Sequence, residues 1–350
     1  MLLETYDFGV DAQTLHLLFG ALLGLVFGAA AQISRFCLRR AVAGDAEERK
    51  GAGAVWLTAL AAAVLGFAGA QALGLVALDG HRLLSSELPL AALVLGGLAF
   101  GVGMVLTRGC VSRLSVLSAT GNLRAVFVLL VFAITAHATL KGVLAPVRTS
   151  LGALTVASPA GSLADTPLLL AAFVLAVLLG AALLIRASRP RVTHLILGAV
   201  IGLVAVAGWV GTSVLLQDAF EPLTVQSAAF TLPWSDTLFW TIAATAIPAD
   251  FGVGFVGGVL GGAFLSAAVR GELDLRGFEA PADTLRYGSG GVLMGVGGVL
   301  AGGCTVGAGL SGVAMGSVAA LIALVSIAVG GWTTARLLQG VTPGAKAQAA

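Results

Sequence analysis

Charged residues are scarce in this chain. They make up 10% of its 350 residues, whereas hydrophobic residues make up 58%, and the mean hydropathy is +1.01. Soluble domains carry about 25% charged residues, so the composition excludes an ordinary soluble protein. It predicts an all-α polytopic membrane protein surrounded by the lipid bilayer, because helices satisfy their own backbone hydrogen bonds within lipid. The formal net charge of +2 gives no indication of a nucleic-acid partner.

Cysteine is equally scarce, since the chain contains only Cys37, Cys110 and Cys304. No two of them form a CxxC pair, which argues against a structural zinc site and against a dithiol redox motif. Haem-attachment spacing is missing, and no G-x-x-x-x-G-K-[ST] motif marks an ATP site. We therefore expect no metal, no cofactor and no enzymatic activity, and the isolated thiols become the main candidates for function.

Long apolar runs fill most of the chain and leave no room for a separate soluble domain. We expect a single membrane-embedded domain over residues 1–350, with about nine spanning helices and short re-entrant or broken helices. The run at 237–269 is longer than one span needs, which leaves open a short broken helix followed by a full one. The predicted spans are residues 12–34, 52–78, 89–107, 123–144, 166–187, 192–216, 237–269, 287–303 and 315–337.

Two glycine-rich stretches carry a cysteine at the same place. Residues 288–316 (GSGGVLMGVGGVLAGGCTVGAGLSGVAMG) hold Cys304, and residues 96–118 (GGLAFGVGMVLTRGCVSRLSVLS) hold Cys110. So much glycine would destabilise a soluble helix. In a membrane, glycine lets helices approach closely and lets a helix break where it lines a cavity. The two stretches therefore predict paired functional elements.

Basic residues cluster in alternate loops. By the positive-inside rule this places the N-terminus outside and the C-terminus in the cytoplasm, so the Cys110 and Cys304 elements enter from opposite sides. Like motifs with opposite directions predict an inverted repeat, which is typical of transporters. Its halves are expected at approximately 10–145 and 190–338, with a linker region at 146–190 that includes one helix.

Two further series of glycines at four-residue spacing fit either additional repetition or a helix-packing surface alone. They are Gly20, Gly24 and Gly28, and Gly254, Gly258 and Gly262.

Each cysteine lies where a glycine-rich helix ends or breaks, a position that favours a binding role over simple packing. A neutral thiol is a weak, polarisable hydrogen-bond donor, so it suits a soft sulfur-bearing anion better than a hard oxyanion. Open backbone N–H groups near glycine and at a helix start also attract anions. The candidate binding or relay residues are Cys37, Cys110 and Cys304, and the candidate pore-lining neighbours are Gly109, Gly303 and Thr305.

Charged residues near these motifs have two interpretations. Arg35, Arg108 and Arg113 either anchor the cytoplasmic surface or form a basic funnel that concentrates an anion at the pore mouth.

Asp250 and Glu221 are candidates for proton coupling, because carboxylates within a membrane are costly and often functional.

Three motifs resemble those of the YeeE/YedE family of sulfur transporters. They are SRFCLRRAVAGD at 34–45, LTRGCVSRLSVLSATGNLRA at 106–125 and GGVLMGVGGVLAGGCTVGAGLSG at 290–312, with Ala308 where the family often has glutamine. The resemblance implies a bundle of about nine helices in pseudo-two-fold halves, with short inserted helices meeting at the middle. It implies a relay in which Cys37, Cys110 and Cys304 pass thiosulfate by S–H···S hydrogen bonds, without covalent chemistry.

The resemblance also implies uptake across the bacterial inner membrane and a cytoplasmic partner, either a small TusA-like sulfur carrier or a rhodanese. Sulfite, sulfide, a persulfide or a selenium analogue remain alternative substrates. Two other classes of protein stay open. A membrane thiol oxidoreductase would need two cysteines with Cα atoms within about 7 Å. A non-transporting subunit would use its glycine-rich faces only to assemble a larger complex.

Overall fold

The computed structural model describes residues 11–76, 78, 81–158, 161–217, 223–278 and 280–341, which are mostly helical. Strands β1 (Glu87–Leu88) and β2 (Val156–Ala157) form a small antiparallel pair. π-helical turns occur at Gly211–Leu215 and Gly307–Gly312. The helices are α1 (Ala12–Ser34), α2 (Leu38–Ala43), α3 (Ala46–Ala72), α4 (Leu90–Leu106), α5 (Val111–Ala119), α6 (Leu123–Leu140), α7 (Ala145–Gly152), α8 (Pro167–Ser188), α9 (Val192–Val210), α10 (Thr231–Ile242), α11 (Phe251–Val269), α12 (Pro281–Leu300) and α13 (Val318–Val341).

Eight segments of the described chain are long and apolar enough to cross a membrane. They confirm the prediction of an all-α polytopic membrane protein. The predicted span at 237–269 is two helices, α10 and α11, separated by a short loop. The predicted span at 287–303 belongs to α12, a 20-residue helix that begins earlier and has Asp283 and Arg286 in its first two turns. These charges make α12 less apolar than the eight segments, although it packs against both α4 and α6.

The long helices run between two ends of the bundle. α1 ends beside Arg35, α3 carries the chain back, and Arg82 follows at the opposite end. We call these ends the Arg35 face and the Arg82 face. Following the helices in order places Arg82, Lys141 and Arg148 at the Arg82 face and the other described lysines and arginines towards the Arg35 face. The basic residues are therefore distributed very unequally.

Helices α1 and α11 lie parallel and in backbone contact. Both glycine series found in the sequence face this contact. A Cβ atom on any glycine of the α1 series would lie 2.1–2.2 Å from a carbonyl oxygen of α11, and one on the α11 series 2.0–2.1 Å from a carbonyl oxygen of α1. The two series are the two sides of one packing surface, as the helix-packing interpretation predicts.

Three other helix pairs also lie parallel with glycine at the contact: α3 with α9, α4 with α13, and α6 with α12. By contrast, α4 and α12 pack antiparallel, because the start of one approaches the end of the other. The parallel contacts are Gly198 and Gly202 with Val55 and Ala59, Gly97 and Gly101 with Ala323 and Ile327, and Gly291 and Gly295 with Val128 and Phe132.

Candidate functional site

Two long helices break at a cysteine. Arg35 after α1 and Arg108 after α4 both have left-handed backbone conformations, with φ of 52° and 58°. This conformation commonly ends a helix but is unusual for a residue with a Cβ atom. Two residues later, Cys37 and Cys110 have extended backbones and occupy the N-caps of the short helices α2 and α5. The chain turn at each arginine thus leaves a thiol at the start of a new helix.

The structure brings these two thiols together. The Sγ atoms of Cys37 and Cys110 are 4.0 Å apart, within hydrogen-bonding distance for sulfur, and either thiol can donate. Both side chains are buried, with exposures of 3% and 1%. The Cys110 sulfur is also 3.2 Å from Ser112 Oγ. Residues separated by 73 positions therefore form one buried sulfur pair.

Cys304 occupies the third break, between α12 and α13. The chain turns at Gly302, whose φ of 72° favours glycine. The fully buried Cys304 accepts a hydrogen bond from the Gly307 N–H group at 3.4 Å. The next residue, Thr305, is buried as well and has its hydroxyl within reach of the Cys110 thiol. The Cys304 loop therefore contacts the Cys37–Cys110 pair through Thr305.

Positive charge lies next to the sulfur pair on the side of the Arg35 face. Arg113, on the first turn of α5, interacts electrostatically with Cys37 and Cys110, and Arg35 and Arg40 lie close by. The Nη1 atom of Arg113 is buried and has no hydrogen-bond partner in the described part of the chain. An unused donor beside two thiols is a suitable contact for an anion.

A cavity of about 750 Å³ approaches the same region from the Arg82 face. Gly303 and Gly307, on either side of Cys304, form part of its lining, as do Ser227 and Ser311. The Ser311 hydroxyl donates to Ala228 O at 2.7 Å, so it holds the Cys304 loop against the loop that precedes α10. The cavity therefore ends beside the third thiol.

Arg82 and His81 line this cavity but are not among the residues that sequence analysis selects. Arg82 Nη2 donates to Gly302 O at 3.3 Å, next to the Cys304 motif. The His81 ring packs edge-on against Trp209, with ring centroids 5.2 Å apart. The one signal in the sequence is that Arg82 is the sole lysine or arginine between α3 and α4.

The remaining predicted residues take different places. Arg35 and Arg108 are exposed at the Arg35 face, whereas Gly109 and Gly303 are buried. A Cβ atom on Gly303 would lie 2.7 Å from the Ala308 nitrogen, so the tight loop requires glycine there. Asp250 is the N-cap of α11 and lines the cavity, away from the sulfur pair. Glu221 lies outside the described residues.

This combination defines a class of protein. Helices that break inside the bundle, a buried set of polar groups at the breaks, and a cavity leading to them are typical of membrane transporters. Comparison with known families agrees with this assignment. The sequence model of the family described as Sulphur transport matches residues 33–333, and the chain belongs to that family. The protein is therefore a transporter rather than an enzyme, and the oxidoreductase alternative is not retained.

Two curated relatives are similar to large parts of the chain. Thiosulfate transporter TsuA of Spirochaeta thermophila is 29% identical over 263 residues, which are 70% of this chain and 77% of the relative. Thiosulfate transporter TsuA of Escherichia coli is 35% identical over 150 residues, which are 43% of this chain and 40% of the relative.

Proposed function

We propose that the protein imports thiosulfate, or a closely related small sulfur anion, across the bacterial inner membrane. The observation that carries the proposal is the buried Cys37–Cys110 pair at 4.0 Å, reached through Thr305 from the Cys304 loop. Both relatives are named as thiosulfate transporters, which supports the choice of substrate. A passage lined with thiols suits the terminal sulfur of thiosulfate, because sulfur is a soft and polarisable acceptor.

The proposed path runs from the Arg82 face to the Arg35 face. The anion enters the cavity, meets Cys304 at its end, passes Thr305 to Cys110 and Cys37, and leaves towards Arg113 and Arg35. Each thiol donates an S–H hydrogen bond to the anion and no covalent bond forms. Weak donors are appropriate for this purpose, since a site that held the anion as tightly as an arginine pair would release it slowly.

The proposed orientation in the membrane follows from the distribution of charge. Of the lysines and arginines in the described part of the chain, only Arg82, Lys141 and Arg148 lie at the Arg82 face. The positive-inside rule then makes the Arg35 face cytoplasmic and the Arg82 face external, with the N-terminus outside and the C-terminus inside. Uptake in this direction also supports a cytoplasmic acceptor, either a TusA-like sulfur carrier or a rhodanese, at the exposed arginines of the Arg35 face.

The packing supports an inverted repeat with halves near 10–145 and 190–338. The order of long and short helices from α1 to α6 matches the order from α9 to α13, with the 307–312 turn in the place of α5. α1 pairs with α11 as α9 pairs with α3, and α4 pairs with α13 as α12 pairs with α6. The corresponding helices are α1 and α9, α3 and α11, α4 and α12, and α6 and α13. In each half, α1 and α3, or their counterparts, run in opposite directions. Because α1 is parallel to α11 and α9 is parallel to α3, corresponding helices of the two halves also run in opposite directions.

The test is uptake of radiolabelled thiosulfate by cells that lack their own importers. We expect uptake with the intact protein and a loss of at least about tenfold with Cys110→Ala or Cys304→Ala, since either change removes one donor from a single-file path. Cys110→Ser is the matched control for volume: it keeps a donor but replaces sulfur with a harder oxygen, and we expect intermediate uptake.

Membrane insertion and detergent size-exclusion profiles establish that each variant is folded. Undiminished uptake by both alanine variants would refute the thiol path. Full uptake of sulfite or sulfide together with no uptake of thiosulfate would refute the assignment of thiosulfate as the substrate.

A further inference from the structure

The cavity at the Arg82 face carries more negative charge than an entry route for an anion requires. Two carboxylates, Asp236 and Asp250, line it together with the two cations Arg82 and Lys141. With both carboxylates ionised these four charges cancel. A dianion entering the cavity would then gain no electrostatic attraction from it.

Asp250 already has a structural role. Its Oδ1 atom accepts the Val253 N–H group at 3.1 Å as the N-cap of α11, and its Oδ2 atom accepts Gln226 Nε2 at 2.6 Å. Both oxygens are therefore engaged in positioning the start of α11 and the loop before α10. Asp250 is thus a carboxylate that the fold holds in place in the cavity lining.

Asp236 differs from Asp250 in its hydrogen bonding. It lies on α10, outside the eight membrane-spanning segments. The side chain is half-buried, and no hydrogen bond to it is found in the described part of the chain. Burial, and then the charge of Asp250, raise the pKa of Asp236 to about 6, although Lys141 acts in the opposite direction. Among the described residues, no hydrogen bond or helix cap depends on its charge.

The other titratable groups around Asp236 can be placed. α6 contributes His137 and Lys141, and the His137 Nδ1 atom is bonded to Ser235 Oγ at 2.9 Å. α11 contributes Asp250. α12 also contacts α10, but Asp283 and Arg286 lie at its opposite end, towards the Arg35 face. Across the cavity stand the remaining groups, His81 and Arg82.

We propose that Asp236 is a proton-binding site that controls the entry of the anion, so that the cavity accepts a dianion when this carboxyl group is neutral. This inference rests on the proposed function and adds a second, coupled ligand to it. Protonation of Asp236 leaves Arg82 and Lys141 opposed by Asp250 alone, which gives the cavity a net charge of +1. Because linkage is reciprocal, a bound dianion in turn favours protonation of Asp236.

The test uses the full-length protein in proteoliposomes, with the same pH on both sides and the membrane potential clamped at zero. Initial uptake of radiolabelled thiosulfate is measured below saturation between pH 5 and pH 8. With a pKa of about 6, about a tenth of Asp236 is protonated at pH 7 and about nine-tenths at pH 5. Uptake by the intact protein should therefore rise about tenfold from pH 7 to pH 5.

Two variants separate this effect from other titrations. Asp236→Asn should show uptake that is independent of pH and close to the rate of the intact protein at pH 5. Asp283→Asn is the matched control, because it removes a carboxylate at the other end of the bundle, and it should keep the full pH dependence. A pH dependence that persists in Asp236→Asn would assign the titration to another group, such as His81, and overturn the proposal.

A measurement on the intact protein alone covers the case in which Asp236→Asn does not fold. Calorimetry of thiosulfate binding at pH 7 in two buffers of different ionisation enthalpy should show uptake of close to one proton per anion. No proton uptake, or transport that is present but flat with pH, would overturn the role of Asp236 and leave the proposed function intact. Absence of thiosulfate transport at every pH would overturn the proposed function itself.

Discussion

The neighbouring glycines Gly257 and Gly258 offer a sharp test of the packing that positions Cys37. Gly258 faces α1, and a Cβ atom there would lie 2.1 Å from Ala21 O. Gly257 is one residue earlier on the same helix, where a Cβ atom would meet nothing within 4 Å. The methyl group of an alanine would thus collide with the α1 backbone at position 258 and would meet no neighbouring atom at position 257.

The geometry sets the size of the effect. An ordinary contact needs at least 3.4 Å, so Gly258→Ala must move α1 and α11 apart by more than 1 Å along a seam filled by backbone atoms. Overpacking of this kind costs about 1–3 kcal/mol. Gly257→Ala should instead stabilise the helix by up to about 1 kcal/mol, because alanine is the better helix former. The expected difference between the two variants is therefore about 1–4 kcal/mol.

The assay is the unfolding midpoint of the purified protein in detergent, followed by thiosulfate uptake. We expect a lower midpoint for Gly258→Ala and reduced uptake as well, since α1 leads directly to the break at Cys37. Gly257→Ala should match or exceed the intact protein in both measurements. Equal midpoints for the two variants would refute the close backbone contact between α1 and α11.

Two further predictions concern side chains that support the path. Trp234→Phe removes the hydrogen bond from its Nε1 atom to Ser115 Oγ, 2.7 Å long, and should lower the free energy of unfolding by about 0.5–1.5 kcal/mol; an unchanged denaturation curve would contradict this role. Arg82→Gln removes a cation from the cavity beside Gly302 and should raise the KM for thiosulfate severalfold with a smaller change in maximal rate, most clearly at low ionic strength. An Arg82→Lys variant, which keeps the charge, should recover most of the loss, and failure to recover would assign Arg82 to loop structure instead.

Much of the fold could be predicted because hydropathy and glycine spacing act locally. The predicted span at 12–34 coincides with α1, and each cysteine motif does mark a break in a helix. The sequence also predicts the cluster of cations at the Arg35 face, since Arg35, Arg108 and Arg113 belong to the same short motifs as two of the thiols.

The pairing of Cys37 with Cys110 could not be predicted in this way. Motif spacing describes each break separately, whereas the sulfur contact depends on how α1, packed by its glycines on α11, is placed relative to α4. The cavity could not be predicted from the sequence for a similar reason, because its lining comes from residues as distant in the chain as Arg82, Lys141 and Asp236. A lone arginine in a short loop has no periodicity that would indicate its neighbours.

The helix breaks at the three cysteines lie between the Arg82 face and the Arg35 face, and this position has an electrical consequence. On the proposed path, the buried thiols lie between the cavity on one side and the arginine cluster on the other, so most of a transmembrane voltage falls across them. Moving one charge through 100 mV requires about 2.3 kcal/mol, and a dianion about twice as much. On the proposed path, the work against an inside-negative potential is therefore concentrated between Cys304 and the Cys37–Cys110 pair.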